Sequence, residues 1–234
     1  MTRETSLATS YEHWRTSELG QITDTLEHRL LIELARVMPG QHLLDVGCGD
    51  GALAIRFARL GAAITGVDAD PAMVAVARAR AAAENASAQF SVADAERLPF
   101  ADGQFDVVVA SALLCLVRDR AAAIAEMARV LKPGGRLIVG ELGAWSLWSA
   151  LRRVRGWFGA TPWRGAHFHT PSDLMRLLRE AGLSPVAVRG SIFYPPLALA
   201  ARLLAPFDAW IGRRFTLGAA FLVASARKPL LRID

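Results

Sequence analysis

Two hydrophobic periods follow one another along this chain and predict strands separated by helices. From Thr23 to Met38, leucines recur every four residues and the run stops at Pro39-Gly40, which predicts an amphipathic helix. Four further helices are predicted, at 51–60, 71–84, 119–130 and 171–181. Strands are predicted at 42–46, 63–68, 88–92, 105–110, 135–141, near 185–193 and near 217–227. Strands linked through helices favour right-handed crossovers and a mainly parallel sheet covered on both faces. We therefore expect a doubly wound α/β fold.

The segment between the first strand and the following helix carries the strongest chemical signal. Residues 43–51 read Leu-Leu-Asp-Val-Gly-Cys-Gly-Asp-Gly. Gly47, Gly49 and Gly51 lack a Cβ where backbone must approach a ligand, with Cys48 between the first two. The N–H groups that open the next helix point towards the same place. We expect a nucleotide-like ligand to bind at this loop.

Two kinds of ligand are compatible with the glycines alone. Gly47, Gly49 and Ala52 satisfy the G-x-G-x-x-G/A pattern of dinucleotide-binding proteins, which leaves a nicotinamide dinucleotide open. Asp45 argues against it, because a carboxylate inside the strand would repel a pyrophosphate and favour an α-ammonium group. Asp68 and Asp94 follow at two more strand ends. Three carboxylates in these places suit a ligand with an amino-acid part, a ribose and an adenine.

With these motifs the chain resembles the class I S-adenosylmethionine-dependent methyltransferases, in particular the group of ubiquinone- and menaquinone-biosynthesis and related small-molecule enzymes. The matching blocks occur in the same order: Leu43–Gly51, Val67–Asp70, Ala93–Phe100 leading into Phe105–Val109, and Val130–Gly135. The resemblance implies a Rossmann-like sheet of seven strands, mostly parallel with an antiparallel last strand. It also implies S-adenosyl-L-methionine as cofactor and methyl transfer by in-line displacement.

The resemblance assigns roles to residues at the second and third strand ends. The Asp68 carboxylate would accept hydrogen bonds from both ribose hydroxyls. Asp94 would accept from the adenine amino group, and the N–H of Ala95 would meet a ring nitrogen. Ala69 and Met73 would pack against the adenine faces, although Met73 could equally belong to the core.

The reacting methyl group is expected near Ser111, just past the fourth strand. Methyl transfer mainly requires alignment and exclusion of water, but an acidic acceptor such as a phenol would also need a base. His167 and His169 are the candidates, with a surface or packing role as the alternative; no third ligand accompanies them, so we expect no metal. Tyr11 and Trp14 could cover the sulfonium with their ring faces, although Trp14 could equally fasten the first helix.

Two apolar-rich segments lie outside the matched motifs. Residues 142–170 are too long for a plain connection and predict a lid over a partly lipophilic acceptor. They contain four of the six tryptophans: Trp145, Trp148, Trp157 and Trp163. Residues 194–214 are interrupted by Pro206 and too short to span a bilayer. We expect this second segment to pack beside the last strands, with peripheral membrane contact or cover for a lipophilic acceptor as alternatives.

Composition bounds the class of protein. The 234 residues are 53% hydrophobic and 21% charged, as in one globular enzyme domain. We divide it into an N-terminal cap with the first helix (1–40), a cofactor-binding core (41–141), an acceptor lid (142–170) and the C-terminal part of the sheet (171–234). A non-catalytic module that binds S-adenosylmethionine remains an alternative to the enzyme.

Charge and cysteine content narrow the partners. The net charge of +5 comes from dispersed arginines with only two lysines, which predicts a small-molecule acceptor and no nucleic acid. The N-terminal residues have no apolar run of signal-peptide length, and the two cysteines have no partner nearby in sequence. We expect a cytoplasmic protein; the pattern does not indicate an oligomeric state.

Overall fold

The computed structural model describes Trp14, residues 16–157 and residues 166–230, and these fold as the alternating pattern predicts. The helices are α1 (Glu18–Ala35), α2 (Ala52–Ala58), α3 (Pro71–Ala83), α4 (Arg120–Val130), α5 (Leu147–Trp157), α6 (Pro171–Glu180) and α7 (Ala198–Gly212). The strands are β1 (His42–Val46), β2 (Ala63–Asp68), β3 (Ala88–Val92), β4 (Phe105–Ser111), β5 (Leu131–Leu142), β6 (Ser184–Ser191) and β7 (Phe221–Arg227).

All seven strands form one sheet, in the order β3-β2-β1-β4-β5-β7-β6. The first five strands pair in parallel, and β7 is antiparallel to both β5 and β6. The predicted seven-stranded sheet with an antiparallel last strand is therefore confirmed. The winding reverses between β1 and β4, and ligands of such sheets bind outside the carboxyl ends of the strands at this point.

Helices cover both faces of the sheet and bury its central strands. Leu43 of β1 packs in the core formed with α1, α2 and α3, whereas the next residue, Leu44, packs in the core formed with α4 and α6. Both side chains are fully buried. Because successive residues of a strand face opposite sides, this double burial explains the continuous apolar run that precedes the glycine loop.

The first helix differs from its predicted bounds at both ends. It begins at Glu18, because Ser17 caps it by accepting a hydrogen bond from the N–H of Gly20 at 3.1 Å. It ends at Ala35, where Arg36 takes a left-handed conformation, three residues before the predicted end at Met38. Helix boundaries were thus decided by caps that the hydrophobic spacing does not reveal.

Two helices lie in the segments that the pattern left without a defined element. Helix α5 lies within the expected lid, and α7 covers most of residues 194–214 with Pro206 inside it. Helix α7 packs against α1 and β6, which confirms the expected position beside the last strands. Within residues 16–157 and 166–230, no helix has the length and apolarity needed to cross a bilayer.

Candidate active site

The glycine loop is fixed to the end of β2 by its own backbone. The N–H groups of Gly47 and Cys48 both donate to the carbonyl of Val67, at 2.8 and 2.9 Å. Gly47, Gly49 and Gly51 have φ angles of +72°, +51° and +76°, which side-chain-bearing residues rarely adopt. Among the described residues, a Cβ on Gly49 would meet no atom within 4 Å apart from its chain neighbours, whereas a Cβ on Gly47 or Gly51 would lie 2.8 or 3.0 Å from side chains packed against the loop. Bare backbone therefore faces open space at Gly49, while the other two glycines allow close packing of the protein itself.

The side chain of Cys48 lies beneath this loop. It is buried in the core, where a Cβ on Gly66 would approach its own Cβ to 3.2 Å. Burial and the nearby carboxylates of Asp45 and Asp68 raise the pKa of the thiol, which keeps it neutral. Any contact of Cys48 with a ligand stays a prediction that concerns its backbone atoms.

Asp45 is a buried carboxylate with one oxygen unsatisfied. Its Oδ2 has no hydrogen-bond partner among the described residues. Burial, together with the charges of Asp68 and Asp50, raises the pKa of Asp45 to about 7. A buried carboxylate is costly unless it is paired. An ammonium group would supply both a donor and a compensating charge, so the site fits the amino-acid end of the expected cofactor.

The carboxylate of Asp68 joins the glycine loop to the start of α3. Its Oδ2 accepts from the N–H of Gly49 and its Oδ1 from the N–H of Asp70, both at 2.9 Å. Helix α3 is capped by Asp70, which accepts from the N–H of Ala72 at 2.8 Å. Asp70, and not Asp68, therefore caps this helix. Each of its oxygens has a lone pair left for a ligand hydroxyl.

Asp94 lies close to Asp68 at the same edge of the sheet. The N–H of Ala93 donates to the carbonyl of Asp68 at 3.0 Å, which brings the end of β3 alongside. Asp94 is exposed and its Oδ1 accepts from the N–H of Glu96 at 2.9 Å, forming a local turn. Ala95 is buried beneath this turn. Asp94 thus combines the turn function with a free approach for a ligand at its exposed side.

Three further side chains border this end of the crevice. Ala69 is exposed directly after Asp68, and Met73 is half-buried in the first turn of α3. Neither is a member of the two cores. Val92 pairs with Asp68 in the sheet and exposes 51% of its surface. Sequence reasoning missed Val92, although an apolar strand end two residues before Asp94 is a usable signal.

The chain turns sharply after Ser111 at the end of β4. Ala112 adopts φ +51°, and its N–H donates to the carbonyl of Gly140 at 2.7 Å. Two residues farther along this segment, the N–H of Leu114 donates a hydrogen bond to Oε1 of Glu141 at 2.6 Å. Strands β4 and β5 therefore hold the segment after Ser111 at the carboxyl edge, close to where the resemblance places the sulfonium.

Glu141 was missed by sequence reasoning. It is fully buried, its Oε2 has no partner among the described residues, and burial raises its pKa to about 8. The signal was a carboxylate at the end of an otherwise apolar strand, Leu-Ile-Val-Gly-Glu-Leu. Its contact with Leu114 shows that it orders the segment after Ser111.

The structure brings His169 to the same edge. Its N–H donates to the carbonyl of Leu142, and its carbonyl accepts from the N–H of Ala144, both at 2.8 Å. The imidazole is buried, neither ring nitrogen has a partner among the described residues, and burial and His167 lower its pKa to about 4. This histidine is neutral near pH 7 and a weak base.

His167 is the more accessible of the pair. Its ring is exposed and lies 4.7 Å from that of His169, measured between ring centroids. Partial burial and the charge of Arg120 lower its pKa, so it too is mostly neutral near pH 7. In the part of the chain that the structure describes, no group of three or more potential ligands is placed to hold a metal ion.

The expected lid divides into core and surface residues. Trp148 does not belong to a lid: it is buried in the core, and its Nε1 donates to the carbonyl of Tyr194 at 2.7 Å. Trp145 and Trp157 are exposed. The spacing of tryptophans could not separate the two environments, because tertiary packing buries Trp148 of α5 and leaves Trp157 of the same helix exposed.

One of the two N-terminal aromatic residues, Trp14, lies among the described residues. Trp14 packs against the core beside α1, which agrees with its alternative role as a fastener of the first helix. Tyr11 and Trp163 lie outside the described residues, so their roles stay predictions.

Comparison with known proteins agrees with this geometry. The family model for the methyltransferase domain matches residues 44–139. The ubiquinone biosynthesis O-methyltransferase of Cereibacter sphaeroides is 34% identical over 184 residues, covering 76% of this chain and 74% of that protein. The protein of that name from Xanthomonas axonopodis pv. citri is 37% identical over 175 residues, covering 71% and 73%.

A solved structure supports the fold. The SAM-dependent methyltransferase of Thermotoga maritima aligns with a TM-score of 0.70 at 22% identity, over 94% of this chain and 95% of that one. Fold, cofactor-binding features and relatives lead to one assignment. The chain belongs to the S-adenosylmethionine-dependent methyltransferases.

Proposed function

We propose that this enzyme transfers the methyl group of S-adenosylmethionine to a hydroxyl group of a small, partly lipophilic acceptor. Support for a hydroxyl comes from the relatives in Cereibacter and Xanthomonas, which are named O-methyltransferases. When bound, the cofactor supplies a methyl group on a sulfonium, which is a good leaving group. The unsatisfied, buried oxygen of Asp45 supports this cofactor over a nicotinamide dinucleotide, whose pyrophosphate it would repel.

For the cofactor, we propose that each part has its own protein partner. Asp45 binds the ammonium group directly or through water, and the glycine loop receives the methionine part. Asp68 accepts from the ribose hydroxyls with the lone pairs left by Gly49 and Asp70. The adenine lies at the third strand end, with Asp94 and the N–H of Ala95 at its edge and Ala69 and Met73 at its faces.

For the acceptor, we propose a position beside Ser111, between the turn after β4 and the segment around His169. His167 is the better candidate for the base, because it is exposed whereas His169 is buried and has a pKa of about 4. His169 then acts by packing beside it. Tyr11 remains our candidate for covering the reacting methyl group.

The observation that carries the lipophilic acceptor is an exposed tryptophan at the acceptor edge. Trp145 follows the end of β5 by three residues and is 62% exposed, although it is large and apolar. A small-molecule acceptor rather than a nucleic acid agrees with the dispersed arginines. Free thiols at Cys48 and Cys115 suit a reducing compartment, and we place the enzyme in the cytoplasm.

A matched acceptor panel tests this proposal. The enzyme is given S-adenosylmethionine and aromatic hydroxyl compounds with and without an apolar substituent, and S-adenosylhomocysteine formation is measured. We expect methyl transfer to oxygen, located by mass spectrometry, and a lower KM for the apolar members. Methylation at nitrogen or carbon would contradict the hydroxyl assignment. Cofactor binding without S-adenosylhomocysteine formation across the panel would favour the non-catalytic module.

A further inference from the structure

Helix α7 (Ala198–Gly212) exposes its large hydrophobic residues on its outward face. The inward face of the helix is made of small or polar residues: Ala201, Ala205, Asp208 and Gly212. The outward face, at the same helical spacing, holds large apolar side chains that are about 60–70% exposed: Leu199, Leu203, Phe207 and Trp210. Amphipathic helices of soluble domains show the reverse arrangement, with their apolar stripe facing the core.

The orientation of α7 is fixed by contacts on its inward face. Asp208 accepts three hydrogen bonds at the end of β6: from the Ser191 hydroxyl at 2.6 Å, the Ile192 N–H at 2.8 Å and the Phe193 N–H at 3.1 Å. A Cβ on Gly212 would lie only 2.0 Å from the carbonyl oxygen of Gly190, so the helix approaches β6 as closely as a glycine permits. Rotation that would bury the leucines would break all these contacts.

The apolar surface continues from α7 to the acceptor edge. After α7 the chain exposes Phe215 and Leu217, and the N–H of Gly218 donates to the carbonyl of the exposed Trp145 at 3.0 Å. From Trp145 the stripe extends along the outward face of α5. It consists there of side chains at helical spacing, all at least partly exposed: Leu147, Leu151 and Val154.

The charges on this surface are of one sign. Between Leu197 and Gly218 the exposed charged residues are Arg202, Arg213 and Arg214, since the one acidic residue of that stretch, Asp208, is buried. The guanidinium of Arg214 stacks over the Trp210 ring at 4.7 Å. Helix α5 adds three more arginines and no acidic residue. Arg202 and Arg213 contact Glu18 and Glu33 in exposed pairs, which are weak and exchangeable.

We propose that this surface, formed by α7, residues 215–217, Trp145 and the outward face of α5, docks on an anionic lipid bilayer. Leucine, phenylalanine and tryptophan side chains on helices flanked by arginines are the composition of helices that lie in the headgroup region. The arginines that flank the surface favour an anionic partner.

Docking in this way gives the acceptor edge a role that rests on the proposed function. Trp145 belongs both to the surface and to the carboxyl end of β5, so the bound enzyme turns its acceptor edge towards the lipid. A partly lipophilic acceptor would then reach the site from the bilayer, with its apolar part shielded from water. The docking surface itself does not depend on that acceptor.

Vesicle sedimentation tests the docking with no acceptor present. The protein is centrifuged with vesicles of two compositions. One is phosphatidylcholine alone, and the other is phosphatidylcholine mixed with phosphatidylglycerol. We expect it to sediment mainly with the mixed vesicles, and less as salt is raised. Leu203→Glu and Phe207→Glu should each lower the partition coefficient about tenfold or more, since each removes one apolar side chain that would be buried in the bilayer and adds repulsion.

The control carries the same charge change at another edge. Met38 is 58% exposed in the connection between α1 and β1, at the amino ends of the strands, so Met38→Glu should leave sedimentation nearly unchanged. Arg214→Gln should weaken sedimentation with the mixed vesicles only. Cofactor affinity, measured by calorimetry, should be equal in all variants and shows that each is folded.

Three outcomes would overturn the proposal. One is no sedimentation with either vesicle, and another is an equal effect of Leu203→Glu and Met38→Glu. The third is a lipid-free dimer that Leu203→Glu converts to a monomer, because the face would then join two copies of this chain. A failed acceptor panel with normal vesicle binding would instead reject the hydroxyl acceptor and leave the docking surface standing.

Discussion

The backbone N–H of Gly49 donates a hydrogen bond to Oδ2 of Asp68 at 2.9 Å, joining the glycine loop to the end of β2. The other oxygen of the same carboxylate holds the N–H of Asp70. Asp68 therefore positions the glycine loop, which we propose to receive the methionine part of the cofactor, and lies at the proposed ribose position. Loss of this side chain should affect both parts of the cofactor site together.

Asp68→Ala should weaken S-adenosylmethionine binding by about 1.5–3 kcal/mol, because charged hydrogen bonds are lost and the Gly49 N–H loses its acceptor. Isothermal titration calorimetry measures this loss. Asp68→Asn keeps one acceptor oxygen and should lose less. The control is Asp70→Ala, which removes the cap of α3 and should lower stability by about 1 kcal/mol without weakening binding. Unchanged affinity in Asp68→Ala would remove Asp68 from the ribose role.

Gly49→Val should block the cofactor while leaving a folded protein. Among the described residues, no atom apart from the chain neighbours lies within 4 Å of a Cβ at Gly49, so we expect the valine side chain to collide mainly with the ligand. Gly49→Ala is the closest control, because it also places a side chain at φ +51° but a much smaller one. Since β-branched valine is strained more than alanine at this φ, urea unfolding of both variants accompanies the binding measurement. Calorimetry should show a far larger loss of affinity for valine than for alanine. Equal losses would mean that backbone strain, not the cofactor, explains the glycine.

Trp148 and Trp145 should respond to alanine in opposite ways. Trp148→Ala should lower the free energy of unfolding by about 3–5 kcal/mol, because it empties a core site and breaks the bond to Tyr194. Trp145→Ala should change stability by less than about 0.5 kcal/mol, as for other exposed positions, and raise the KM of an apolar acceptor. Urea unfolding and steady-state kinetics separate the two. A destabilised Trp145→Ala with unchanged KM would contradict the acceptor contact.

The sequence predicted best what local pattern determines. The alternation of strands and helices follows from their periods, and the carboxylates at strand ends lie at one edge because parallel strands end there. The order of the seven strands does not follow from these periods, and the antiparallel last strand was implied by the family resemblance. Helix ends were less well predicted, since Ser17 acts through a side-chain cap and Arg36 through a left-handed backbone conformation, neither of which hydrophobic spacing encodes. Local signals thus predicted which carboxylates lie at the carboxyl edge but not the boundaries of α1.

Environment could not be predicted where identical residue types have different surroundings. Trp145 and Trp148 are three residues apart, yet Trp145, which precedes α5, is exposed and Trp148, within α5, is buried, because tertiary packing decides the surroundings of each. The contact of Glu141 could not be predicted for a similar reason, although a carboxylate in an apolar strand was a signal. Its hydrogen-bond partner Leu114 is 27 residues earlier in the chain and is brought near only by strand pairing. Long-range contacts of this kind leave no periodic trace.

Glu141→Gln should change how stability depends on pH. Burial raises the pKa of Glu141 from 4.5 to about 8, so between these values the folded protein holds a proton that the unfolded chain releases. The contribution is full below pH 4.5 and is lost as pH rises towards 8. Relative to the wild type, Glu141→Gln should therefore gain stability steadily across this range, as followed by urea unfolding.

The same variant also tests the positioning role. If Glu141 orders the segment after Ser111, Glu141→Gln should lower kcat for the acceptor above about pH 8, with little change in cofactor affinity, because the N–H of Leu114 then exchanges a charged oxygen acceptor for a neutral one. Below that pH Glu141 is itself neutral, so kcat should change little. Glu96→Gln is a suitable control, since Glu96 is another carboxylate that accepts backbone N–H groups, from Arg118 and Asp119. If the free energies of unfolding of the wild type and of Glu141→Gln differ by the same amount at every pH, then Glu141 is ionised in the folded protein.

Cofactor affinity itself should fall as pH drops below about 7, because Asp45 must lose a proton to pair with an ammonium group. Burial first, then Asp68 and Asp50, raise the pKa of Asp45 to about 7 in the free protein, so the neutral form dominates under more acidic conditions. The Kd for S-adenosylmethionine should rise by up to about tenfold per pH unit on the acid side. Asp45→Asn should bind weakly at every pH and lose this dependence, whereas Asp68→Asn should keep it with its midpoint moved to lower pH, because the charge of Asp68 helps to raise the pKa of Asp45. Calorimetry from about pH 5 to about pH 8 provides the measurement. A Kd that stays constant in the wild type over this range would show that Asp45 is not the partner of the ammonium group.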